Sequence, residues 1–324
     1  MIPSLIWESI KDFKSISSLN AFESYVLRQC EEFNPDVVLE RTSYLSNVGV
    51  NVGKKLQIPV HLEVNAPHVE QRVYLSGKSL FVIRAKRNEL SNYQNANTIL
   101  PVSEALAKYI ENEFEINPQK LRANHNGVSA EDFQISQSST PNTVPVIGFI
   151  GSIMDYHGVD SLIRVSSKLH DQNLTHHLLI VGDGQKLQEY IQLTNELRIE
   201  SHCTFTGGVH HKKVPEYLGK MDICVLPSTR WYCSPIKLFE YGLGAKSIVA
   251  VSEPSVEELI EEGKDGMLFS SIDEMQHSLS RLIQDDELRV RLGEEMRRKV
   301  TSKYLWKHNA ERLNEVIQGE LTQT

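Results

Sequence analysis

Short apolar runs alternate with amphipathic stretches along almost the whole chain. In the first half the strand-like runs are Asp36–Glu40, Val60–Val64, Thr98–Val102 and Leu121–His125. Helical periodicity lies between them at Ala21–Phe33, Tyr44–Leu56 and Glu104–Phe114. Residues Gln134 to Thr143 are polar and hold Ser, Thr, Asn and Pro, which is linker composition. That stretch predicts a first domain over 1–138, a second over 139–302, and a closing helix within 303–324. This helix is expected either to cross back to the first domain or simply to cap the second.

The second half reads strand, helix, strand, helix with little interruption. Val144–Ile150 is a buried strand, and Val159, Leu162, Ile163 and Leu169 mark one face of the next helix. His177–Val181 is a strand running into Gly182-Asp183-Gly184. Cys203–Thr206, Asp222–Leu226 and Ser247–Val251 continue the series. Alternation of this kind predicts an α/β fold with parallel sheets covered by helices. Right-handed crossovers then gather the strand-end loops on one edge, where such folds bind ligands. The first half supplies four such strands against at least five in the second, so its sheet is expected to be incomplete. Either a fragment or a partner chain completing the first domain would account for that.

Composition narrows the class. Of 324 residues, 40% are hydrophobic and 23% charged, which suits two ordinary globular domains and excludes a disordered chain. A net charge of −8 argues against a nucleic-acid partner held by phosphate neutralisation. The four cysteines form no CxxC pair, so neither a zinc site nor a redox motif is indicated. No apolar run approaches the roughly 20 residues needed to span a bilayer. A cytoplasmic protein is therefore expected, or one peripheral to the inner face of the membrane. Arg84, Lys86 and Arg87 beside Leu80–Ile83 could touch anionic lipid, the plain alternative being a solvated helix face.

Four segments carry candidate chemistry. In the first, a strand ends at Ile150, Gly151 and Ser152 turn the backbone, and a helix starts near Gly158 with His157 before it. Such a junction offers backbone N–H groups and a positive helix end to a phosphate. In the second, Ser234 is a plausible N-cap and Pro235 a plausible first helical residue, followed by Ile236, Lys237 and Glu240. Lys237 would add a point charge for phosphate, and Glu240 could accept both hydroxyls of a ribose. The third is the glycine turn at Gly207-Gly208 before Val209, and the fourth is the strand end at Asn65 before Pro67. Each also has a plain reading: a tight βα turn, a capped helix with a surface ion pair, or an ordinary loop.

Taken in order, VPVIGFIGS with HGVDSLI, HLLIVGDGQKLQ, FTGGV with VPEYLGKMDICVLPS, SPIKLFEYGLGAKSIVAV and VEELIEEGKDGMLF resemble the family-four retaining glycosyltransferases of the GT-B fold. HNGVSAEDF and YLWKHNAERL fit as well. The resemblance implies two Rossmann-like parallel-sheet domains, the first of them shortened. It also implies transfer of a sugar from a nucleoside-diphosphate donor with retained configuration. The acceptor is expected to be a glycan or lipid-linked glycan, as in envelope polysaccharide synthesis.

Carried over by position, Gly151 and Ser152 lie near the diphosphate, and His157 stands where many members have a lysine. Ser234, Pro235, Ile236 and Lys237 open the helix facing the donor. Glu240 holds the ribose, Val209 meets the base through its backbone, and Glu258 is the acid of PSVEEL. Asn65 takes the place of a cleft-facing histidine. Asn65, Lys237 and Glu240 are thereby the expected catalytic group.

Two departures stand out. Tyr232 occupies the position of a family acid eight residues before Glu240, and Pro254-Ser255 replace paired glycines. No Asp-x-Asp follows an apolar strand, so neither a metal nor another cofactor is expected. The competing reading is a truncated or degenerate homologue that binds a nucleotide or a partner chain without transferring sugar. An epimerase of the same fold is a more distant one. A dinucleotide-dependent dehydrogenase is disfavoured because no GxGxxG follows any of these strands.

Overall fold

Nine strands and thirteen α-helices are resolved in a computed structural model that describes residues 3–131 and 143–321. They form two compact units. The first unit holds α1 (Ser4–Phe33), β1 (Val38–Arg41), α2 (Val48–Leu56), β2 (Val60–Val64), α3 (His68–Ser76), α4 (Val82–Asn95), β3 (Thr98–Pro101) and α5 (Glu104–Phe114). Its sheet is parallel in the order β1-β2-β3.

The run Leu121–His125 is extended but does not become a strand. Arg122 and Asn124 donate their N–H groups to Ile99 and Pro101, yet only the Ile99–Leu121 bridge closes. α1 starts seventeen residues earlier than its apolar periodicity signals, at Ser4 rather than Ala21, because its first turns invert the usual pattern. There Glu8, Ser9 and Asp12 are buried.

The second unit carries β4 (Val146–Ile150), α6 (Val159–Asp171), β5 (His177–Val181), α7 (Leu187–Glu196), β6 (Cys203–Phe205), α8 (Val214–Gly219), β7 (Ile223–Leu226) and α9 (Ile236–Leu243). Then follow β8 (Ser247–Val251), α10 (Pro254–Glu257), β9 (Met267–Phe269), α11 (Ile272–Gln284) and α12 (Asp286–Lys303). The last helix, α13 (Trp306–Leu321), is assigned to this unit as far as Ala310 and to the first from Glu311 onward. The six parallel strands lie in the order β6-β5-β4-β7-β8-β9. This is the doubly wound arrangement, with the direction of winding reversing between β4 and β7. The strands are buried on both faces because each face has its own apolar layer. Phe149, Ile180 and Val225 point into one, while Ile150, Val181 and Leu226 point into the other.

The expected linker at 134–143 lies, apart from Thr143, outside the described residues. The second unit already begins at Asn126. Val128 exchanges backbone hydrogen bonds with Tyr304 (3.0 Å) and Trp306 (3.1 Å) and is buried in this unit's core, which ties the strip ahead of the linker to the second unit.

Candidate functional site

The reversal point between β4 and β7 is where a crevice opens at the carboxyl edge of such a sheet. β4 and β7 pair only at Ile147–Ile223 and Gly148–Cys224. Beyond that the two strands part, and the N–H of Ile150 donates instead to the fully buried Tyr241 hydroxyl of α9 at 3.0 Å.

Three neighbouring strands lead into glycine turns at this edge, at Gly151, Gly182 and, after Thr206, Gly207. Gly151 donates its N–H to the Val181 carbonyl (3.0 Å), and Gly182 donates to Gly207 (3.2 Å). Gly182 has φ +141°, and a Cβ there would fall 1.9 Å from the Gly151 carbonyl oxygen. No side chain fits at that contact, so the backbones meet directly.

The Gly151 turn and the opening of α9 come together. A Cβ on Gly151 would lie 2.9 Å from Lys237 Nζ, and this ammonium sits 4.5 Å from the centre of the Phe149 ring. The ring face offers a cation favourable electrostatics in a partly desolvated place. His157 packs beside them, its ring 6.0 Å from Phe149 and 4.6 Å from Tyr156, with Nε2 3.1 Å from the Ser152 hydroxyl. Burial, aided by the Lys237 charge, lowers the His157 pKa to about 4, so the ring is neutral at pH 7. Its Nδ1 is buried and has no hydrogen-bond partner among the described residues.

One turn beyond Lys237, Glu240 is nearly buried and lies 3.4 Å from His211 Nε2. Burial raises its carboxyl pKa, while the nearby His211 and Lys237 pull the other way.

Two local expectations need correction. Ser234 does not cap α9: the capping residue is Pro235, with ψ 109°, and no side chain bonds the first turn. Ser234 is buried and groups with the first unit. Gly151 does not offer a free N–H, since that donor is committed to Val181.

Ile236 is exposed at the start of α9, and Val209 packs against the core beyond the Gly207 turn. Glu258 ends α10, whose buried Ser255 donates to the carbonyls of Trp231 (3.2 Å) and Arg230 (3.3 Å) in the loop leading to α9. Asn65 belongs to the first unit. With its amide turned to satisfy both neighbours, it donates to Glu63 (3.2 Å) and accepts from Arg41 (3.3 Å). Tyr232 is buried in that unit, accepting from the Gln71 amide at 3.0 Å, while its carbonyl accepts from Ser103 at 2.8 Å.

Sequence reasoning did not single out Phe149, Tyr241 or His211. Tyr241 stands four residues after Lys237, a spacing that sets it one turn along the same helix, but its apolar setting hides the hydroxyl's task.

Two parallel-sheet units, with a glycine-rich strand edge and a lysine-bearing helix at the reversal point of the second, define the fold class as that of the GT-B glycosyltransferases. Within the chain, residues 144–285 match the family described as Glycosyl transferases group 1. An α-D-kanosaminyltransferase of Streptomyces kanamyceticus is 28% identical over 152 residues, covering 46% of this chain and 39% of that enzyme. The match thus spans well under half of that relative's length.

Among solved structures, sucrose-phosphate synthase of Thermosynechococcus elongatus aligns with a TM-score of 0.77 at 15% identity, over 95% of this chain and 79% of that one. HepE of Anabaena, solved in complex with UDP, aligns with a TM-score of 0.78 at 16% identity, over 92% and 82%.

Proposed function

We propose that the chain moves a hexosyl group from a nucleoside-diphosphate sugar to a glycan or lipid-linked acceptor with retention of configuration. The observation that carries this reading is the approach of the Lys237 ammonium to the Gly151 turn at the reversal point of the sheet. In the transfer, the bond from the anomeric carbon to the β-phosphate oxygen breaks and a bond to the acceptor oxygen forms on the same face. The acceptor hydroxyl gives up its proton, and the nucleoside diphosphate leaves with increased negative charge.

Lys237 and the first-turn N–H groups of α9, at Ile236 and Lys237, would meet that charge with donors already in place. Ser152 and neutral His157 would add hydrogen bonds rather than a second full charge. Glu240, exchanging His211 for the ribose, would accept from its hydroxyls. Val209 and Glu258 border the base and the sugar in this reading, Ser234 and Pro235 set the opening of α9, and Asn65 serves the acceptor side. No metal or cofactor takes part. HepE, which shares the fold, binds UDP and has also been solved with UDP-glucose, which favours a donor of this class.

Calorimetric titration with UDP tests the site. Lys237→Ala and Glu240→Ala each remove a charged hydrogen-bonding group worth about 1.5–3 kcal/mol, a loss of roughly 10- to 150-fold in affinity. Unchanged affinity in both variants defeats the assignment.

A second reading, a binding protein without transferase activity, is favoured by Tyr232. At the position of a family acid it presents a buried phenol bonded to Gln71. Release of free UDP from UDP-sugars with an acceptor present separates the two readings.

A further inference from the structure

The first turns of α1 are built inside out. Glu8, Ser9 and Asp12 face inward and are buried, while Leu5, Ile6, Trp7, Ile10 and Phe13 face solvent. An ordinary surface helix does the opposite. The inversion is held by a specific polar anchorage. Arg72 of α3 donates to Glu8 at 2.6 Å and to Asp12 at 3.2 Å, and its guanidinium stacks over the Tyr44 ring at 5.6 Å. Tyr44 donates to Asp12 at 3.2 Å, Ser79 donates to the same carboxylate, and the Leu80 N–H donates to Ser9 Oγ at 3.0 Å. Buried charges are tolerated only when paired and hydrogen-bonded in this way. The arrangement fixes the apolar side outward and sets it beside the start of α4.

There Leu80 and Ile83 are 73% and 68% exposed. Residues 72–87 hold Arg72, Lys78, Arg84, Lys86 and Arg87 and no carboxylate. Arg72 is paired with Glu8 and Asp12, and Lys86 with Glu113 at 3.0 Å, so Lys78, Arg84 and Arg87 are the cations this stretch brings to the surface. In the first fourteen residues the two acids are Glu8 and Asp12, both turned inward, while Lys11 and Lys14 are exposed. In a chain of net charge −8, this is a cationic apolar surface carrying an outward tryptophan.

We infer that the outward face of α1 from Leu5 to Phe13, with Leu80 and Ile83 and the cations of 78–87, docks on an anionic lipid bilayer. The apolar side chains enter the headgroup boundary, and Lys14, Lys78, Arg84 and Arg87 meet lipid phosphates. The helix lies on the bilayer rather than through it: no helix among the described residues is long and apolar enough to cross a membrane. This inference stands apart from the transferase reading, because it concerns neither Lys237 nor Glu240 and needs no nucleotide.

Sedimentation with vesicles of phosphatidylcholine containing about 30% phosphatidylglycerol, an anionic composition, tests it. The chain is expected to sediment with these vesicles, not with pure phosphatidylcholine, and to be released by high salt. Arg84→Ala with Arg87→Ala should weaken partitioning about 30-fold, at roughly 1 kcal/mol per cation. Trp7→Phe should abolish a lipid-induced blue shift of tryptophan fluorescence. Phe13→Ser should weaken binding without changing the melting temperature, since its side chain is exposed. The inference falls if neither vesicle binds, if both bind equally, or if sedimentation velocity shows a dimer that Phe13→Ser dissolves, which would make a second copy the occupant.

Discussion

Replacing Tyr241 by Phe removes one oxygen atom from the interior of the second unit and tests how the site is held. Tyr241 has no exposed surface, and its hydroxyl takes the N–H of Ile150 at 3.0 Å, just where β7 has parted from β4. The phenylalanine leaves a buried donor without a partner, which costs about 1–3 kcal/mol. The volume change is a single hydroxyl, so little cavity cost is added.

In a unit of this size that amounts to a fall in melting temperature of roughly 2–12 °C. Ile150 immediately precedes Gly151, so the turn beneath Lys237 should loosen, and UDP affinity should fall with stability. Tyr190 supplies the internal control: it is 2% exposed, and its hydroxyl has no hydrogen-bond partner among the described residues. Tyr190→Phe removes an unsatisfied buried oxygen and should be neutral or stabilising. Urea denaturation and scanning calorimetry of both variants give the comparison. If Tyr241→Phe melts with the parent and binds UDP equally well, the hydroxyl is not what holds the strand end.

Three further outcomes follow from the same structure. Gly182→Ala places a Cβ against the Gly151 carbonyl at φ +141° and should cost at least about 2 kcal/mol, read as a lower melting temperature. Stability should rise between pH 4 and 6.5. Burial, helped at His125 and His157 by a nearby cation and at His170 by neighbouring histidines, lowers His68, His125, His157 and His170 to about 4, so in that window the unfolded chain binds protons the folded chain refuses. Glu89, raised to about 7 by burial, works in the opposite sense between about 4.5 and 7, and a higher melting temperature at pH 5 than at pH 7 would refute the balance. Transfer from a nucleotide sugar should persist in excess chelator. Activity lost to chelation and restored by Mg²⁺ would refute the metal-free mechanism.

The periodicity of the second half was legible because its strands are short, mostly apolar runs followed by turn-forming residues: glycine at Ile150-Gly151 and Val181-Gly182, proline at Leu226-Pro227, and serine at Val251-Ser252. What escaped is set by contacts between distant elements. Tyr241 reads as one more apolar residue of α9 until β4 and β7 are seen to part. Ser234-Pro235 reads as cap and first turn, whereas Pro235 itself is the cap and Ser234 makes no capping bond. The opening of α1 escaped for the opposite reason: periodicity assumes that polar residues face water, and Arg72 inverts that rule by drawing Glu8 and Asp12 inward.

The separation of β4 from β7 falls where doubly wound folds open a crevice, and it also creates a defect that must be repaired, since a central strand is left with a buried N–H and no neighbouring carbonyl. α9 answers both at once. Tyr241 closes the backbone donor from below, and Lys237, one turn earlier on the same helix, brings its ammonium to the next residue of the strand, Gly151. A rigid helix couples the two, so a shift that broke the Tyr241 bond would also move the charge. With His157 neutral at pH 7, Lys237 and the N-terminus of α9 carry the positive electrostatics of this turn. In the proposed donor site, the helix whose hydroxyl holds the strand end is therefore also the one that carries the cation for a diphosphate.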